Sequence, residues 1–102
     1  MLNQREQMRL VAMKCGVPDH TVEGFIAYVF DGIPPGDFLW AVLTNDLIGA
    51  FGRADGSNIN AMKEIVDFVY NFLPVACYGT PAKVHDWLIK SRQTEKTQVI
   101  AS

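Results

Sequence analysis

Apolar residues recur every three or four positions in five stretches of this chain, separated by glycine, proline and aspartate, and they do not alternate with polar residues. A period near 3.6 gathers apolar side chains on one side of a helix, whereas a half-buried strand needs a period of two. The pattern therefore predicts an all-α fold, a compact single-domain bundle of about five short helices. The domain spans 1–91, and a flexible C-terminal tail follows at 92–102. The chain has 102 residues, 49% of them hydrophobic and 20% charged, with 5 Pro and 8 Gly, which excludes a disordered or collagen-like polymer.

The stretches read as follows. A first helix over about Asn3 to Lys14 carries a loose stripe of Met8, Leu10, Val11 and Met13, with Gly16 in place for a C-terminal cap. Asp19 caps a second, whose Val22, Phe25, Ile26 and Val29 have i, i+3, i+4, i+7 spacing and which stops at Gly32. The Pro34-Pro35-Gly36-Asp37 corner leads into a third stripe, Phe38, Leu39, Val42, Leu43, Leu47 and Phe51. Asn45-Asp46 prefers caps to helix interiors, so this stripe is one long helix or two short ones. The fourth helix, Asn58 to Phe72, is the clearest, with Ser57 as cap and Ile59, Met62, Ile65, Val66, Val69, Phe72 and Leu73 inward. Thr80-Pro81 opens a fifth that ends near Lys90. Phe25, Leu39, Val42, Leu43, Ile65, Val66, Val69 and Trp87 are the expected core.

Charge and motif content narrow the chemistry. A formal charge of −2 and a pI near 5.5 speak against a general polyanion binder. The two cysteines, Cys15 and Cys77, are too few for a disulfide scaffold and lack zinc-site spacing, so reduced thiols are expected. No apolar run approaches the ~18 residues of a membrane span, and the basic N-terminal stretch is not a secretory signal. His20 and His85 each adjoin an aspartate, but both read as surface helix residues. No nucleophile motif, metal-binding histidine pair or P-loop occurs. The chain is expected to have no catalytic residues, no cofactor and no metal. Arg53 is expected to contact Asp46 or Asp55 across a bend.

The residues GIPPGDFLWAVLTNDLIGAFGRAD, Gly32 to Asp55, are followed by FVYNFLP, Phe68 to Pro74, and CYGTPAKVHDWL, Cys77 to Leu88. In these motifs the chain resembles a group of small tailed-bacteriophage proteins. Members of that group share a Pro-Pro-Gly-x-Phe-Leu-x-Ala-Val-Leu-x-Asn-Asp-Leu core, an Arg-Ala-Asp and a Gly-x-Pro-x-Lys-Val. The resemblance covers about seventy residues from Val17 to Leu88 and brings no activity with it. It implies a phage gene expressed in the host bacterial cytoplasm.

Two features then point to binding. From Cys15 to Asp55 there are six acidic residues and one base, Arg53, so the second and third helices present an acidic face. The aromatics Tyr28, Phe30, Trp40, Phe68, Tyr70 and Tyr78 exceed what the apolar stripes need, and surface aromatics anchor interfaces. The expected contact surface is therefore Tyr28, Phe30, Asp31, Asp37, Trp40 and Asp46. The expected function is that of a small phage accessory protein that binds, and inhibits or modulates, a host or defence protein. A DNA-associated helical regulator is the alternative, and an unknown structural or homodimeric phage protein, paired through the same face, comes third. A DNA-associated regulator is disfavoured because the best helix has Lys63 as its only base.

Overall fold

The structure, a computed structural model, describes the backbone of residues 2–101 and the side chains of residues 2–91. Among the described residues the architecture is all-α, with seven α-helices and one 3-10 turn rather than about five helices. They are α1 (Gln4–Cys15), α2 (Asp19–Asp31), α3 (Asp37–Leu43), α4 (Leu47–Arg53), α5 (Gly56–Asn60), α6 (Met62–Phe72) and α7 (Pro81–Ala101), with the 3-10 turn Val75–Cys77 before α7.

Both additional helices come from breaks inside the apolar stripes: the third, open between one long helix and two short ones, is two, and the fourth, read as continuous, also divides. Asn45 takes the left-handed conformation, φ 66°. Its N–H donates to Val42 O (3.2 Å) and that of Asp46 to Ala41 O (2.8 Å), the paired closing bonds of a Schellman motif. Asp46 then caps α4, accepting from Gly49 N at 2.9 Å. The second break is at Ala61, where the expected Asn58–Phe72 helix divides. Asp55, not Ser57, caps α5 through Asn58 N, and Thr21 Oγ1 holds the buried Asn58 side chain at 2.5 Å. The α2 cap also differs. Asp19 is the first helical residue, and Pro18 stands in the cap position without a side-chain bond.

Helix α2 is the centre of the core. Val22, Phe25, Ile26 and Tyr28 are fully buried among Leu43 of α3, Ile65 and Phe68 of α6, and Val84 of α7. Phe25 meets Phe68 edge-on at 5.2 Å. Three hydrogen bonds tie the C-terminal part of the chain to this centre: Tyr28 Oη to Cys77 O (2.7 Å), Gly79 N to Leu43 O (2.7 Å) and Trp87 Nε1 to Val29 O (3.2 Å). A smaller cluster of Ala41, Ala50 and Met62 lies behind α4.

Most of the expected core is buried, while Val42 and Trp87 are half-buried against it. Val66 is a correction: it is 46% exposed. Ile59 and Phe72, also expected inward, are exposed too. Seven apolar residues make a stripe wider than one helix face can bury, so those at its edges face water. Helix α7 continues past Lys90, because no glycine or proline follows to stop it. The expected flexible tail, 92–102, lies outside the residues whose side chains are described.

Leu43→Ala is expected to destabilise the fold by about 2–5 kcal/mol, the range for emptying a fully buried leucine site. Val66→Ala is expected to cost less than about 1 kcal/mol, since half of that side chain is already in water. Urea unfolding monitored by far-UV circular dichroism measures both.

Candidate functional site

The structure does not gather the expected contact residues on one face. Tyr28 is entirely buried and spends its hydroxyl on Cys77, so it is a core residue and cannot anchor a partner. Phe30 is half-buried, with the Arg5 guanidinium stacked over its ring at 5.7 Å. Arg5 also grips Asp31 with both terminal nitrogens, Nη1–Oδ2 at 3.0 Å. Trp40 is half-buried edge-on to His85 at 5.5 Å. Asp37 is exposed in the first turn of α3, and Asp46 is exposed but committed to capping α4.

The acidic face fails for a reason visible only in three dimensions. Helix α1 lies along α2, placing Arg5 on Asp31 and Arg9 on Glu23 (2.8 and 2.9 Å). The bases of the first fourteen residues thus neutralise two of the six acids counted between Cys15 and Asp55. The hydrogen bonds from Arg5 and Arg9 hold the Asp31 and Glu23 carboxyls below their ordinary range. His20, as read, is an exposed helix residue. It pairs with Asp55 at 3.0 Å, so the expected Arg53–Asp55 contact does not form. Arg53 and Asp46 converge without forming an ion pair: a Cβ on Gly49 would stand 2.1 Å from Asp46 Oδ2 and 2.6 Å from Arg53 Nη1.

A different surface carries the unusual chemistry. Helix α4 reads Leu-Ile-Gly-Ala-Phe-Gly-Arg, and a helix apolar on nearly every side belongs in a core. Instead α4 packs on α3 and buries Ala50 alone. Ile48 is 85% exposed, Leu47 65% and Phe51 48%. Opposite, Val66 and the 75% exposed Tyr70 stand one turn apart on α6. Between the two helices runs a groove of about 310 Å³ floored by Ala41, Ala50, Met62 and Val69, with Leu47, Val66 and Tyr70 on its walls and Asp46 at its rim. Sequence reading missed Leu47, Phe51 and Val66 because it placed them on inward stripes. Tyr70 was visible as surplus aromatic content.

A second apolar cleft, about 470 Å³, opens between α1, α2, α6 and α7, lined by Met8, Phe30, Phe72 and Trp87 among others. It is shallower in exposed side chains: of these four, Phe72 alone is more than half-exposed.

Burial raises the Cys77 thiol to about 12, which keeps it protonated and unreactive. Cys15 and Cys77 are both free thiols. Among the described residues no three metal-ligating side chains come together, and no helix is long and apolar enough to cross a membrane. Compared with models of known protein families, with curated proteins and with solved structures, the chain shows no match.

Removing Arg5 tests the neutralised face. In Arg5→Ala, Asp31 is expected to titrate upward, near the ordinary value of 3.8, by carbon-detected NMR. A lowered folded-state pKa contributes stability above the unfolded value and loses it as pH falls through the folded one. The stability difference between wild type and variant is therefore expected to shrink as pH drops below that range. It is small throughout, because the pair is exposed.

Proposed function

We propose that this chain works by occupying another protein through the face formed by α4 and α6. One observation carries the reading. Helix α4 has the composition of a buried helix and the position of a surface one, so Leu47, Ile48 and Phe51 stay in water unless something covers them. Tyr70 supplies the kind of half-polar aromatic anchor that dominates binding energy at interface centres.

The bacteriophage resemblance supplies the setting: an accessory protein expressed in the bacterial cytoplasm, whose partner is a host or defence protein that it inhibits or modulates. No chemical step is assigned to it. The DNA-regulator alternative has less support, since Lys63, the one base of α6, is engaged by Asp67 at 2.7 Å and a recognition helix needs free bases or amides.

The test uses two baits that retain the wild-type circular dichroism spectrum. Leu47→Lys alters the α4–α6 face, and the double variant Trp40→Ala, Asp37→Lys alters the α3 surface outside it. Enrichment from bacterial lysate is quantified by mass spectrometry. The reading expects a partner that wild type and the double variant capture and Leu47→Lys loses. Retention by Leu47→Lys with loss by the double variant would move the site to α3, and the absence of any specific partner would contradict the binding function.

A further inference from the structure

We infer that, when no other protein is bound, the α4–α6 face pairs with the same face of a second copy of the chain across a two-fold axis. The inference rests on reading that face as the interaction surface, and adds that self-association controls its availability.

The first argument is area. Leu47, Ile48, Phe51, Val66 and Tyr70, at their observed exposures, present on the order of 600 Å² of mostly apolar surface. That is at the upper end of the largest patch found on typical monomers, about 300–600 Å². With its rim it approaches the ~800 Å² that each partner contributes to a stable interface.

The second argument is charge. A two-fold contact sets a patch against its own copy, so a rim of one sign repels itself. Here Asp46 at the groove has Arg53 beside it, and on α6 Lys63 is paired with Asp67 at 2.7 Å, so these charges cancel in pairs. A neutral rim gives a strongly charged partner no preference and leaves a second copy unopposed. The third is shape. A shallow groove flanked by the α4 ridge, with Ile48 at 85% exposure, provides both the knob and the hole that an isologous contact needs. Across the axis, the α4 ridge of each copy would enter the groove of the other.

Paired copies hide the residues that a host protein would need, so a heterologous partner competes with the dimer.

Sedimentation equilibrium from low micromolar to about 1 mM reads the self-association directly, down to a Kd near the top of that range. Wild type is expected to move from 11.4 kDa to twice that mass with rising concentration. Leu47→Lys, at a site mostly in water and so compatible with folding, is expected to weaken pairing by at least about tenfold. Tyr70→Ala should weaken it as well, and Trp40→Ala should leave it unchanged. A wild type that remains at 11.4 kDa up to 1 mM, or a dimer indifferent to Leu47→Lys, would overturn the inference. The two readings fail separately. A strict monomer that captures a host protein through Leu47 removes only the self-pairing, while a Leu47-dependent dimer that captures nothing removes only the host partner.

Discussion

The left-handed backbone at Asn45 sets the direction of everything from Asp46 to Asn60. With φ at 66°, Asn45 closes α3 through two backbone bonds and hands the chain to Asp46, which opens α4 with its own carboxylate. Asparagine enters this region at lower cost than other residues with a Cβ, and an aspartate next in line is a strong cap. If α3 ran on without the break, Leu47 and Phe51 would extend the stripe of Leu39 and Leu43 into the core. The turn redirects them, and only Ala50 of α4 finds the interior. Asp46 and Arg53 crowd the space where a Cβ on Gly49 would be, so a larger residue there would push the ends of those side chains aside.

The main core contains no residue of α4. Helix α2 is surrounded by α1, α3, α6 and α7, and the Tyr28–Cys77 bond fixes the 3-10 turn that precedes α7. That separation lets an apolar helix sit at the surface of a folded chain, since its three exposed side chains lie outside that core. Natural sequences keep local and global preferences consistent except where something else is served. The mismatch between the composition of α4 and its place is of that kind.

Much of the fold was legible in the sequence. The 3.6 period gave helices everywhere, Gly16 and Gly32 ended α1 and α2, and Thr80-Pro81 opened α7. The α4–α6 face was not legible, because the helical period is blind to a change of phase. Asn45-Asp46 marks a break in the sequence, yet Leu47 and Phe51 keep the spacing of Leu39 and Leu43 across it and so read as inward. The acidic face read from Cys15 to Asp55 misled for a complementary reason. Counting charges along the chain cannot see that Arg5 and Arg9 fold back on Asp31 and Glu23. Tyr28 was read as surplus because the carbonyl that satisfies its hydroxyl lies 49 residues away.

The account turns on α4 facing outward in the free chain, and isoleucine methyl groups report this directly. In a dilute, selectively methyl-labelled sample, a soluble gadolinium chelate broadens each methyl according to its access to water. Ile48, 85% exposed, is expected to broaden more than Ile33, Ile59 and Ile89, while Ile26 and Ile65 in the core remain sharp. An Ile48 methyl as protected as that of Ile65 in the dilute monomer would mean that α4 continues α3 into the interior, and the exposed face, with everything built on it, would be wrong.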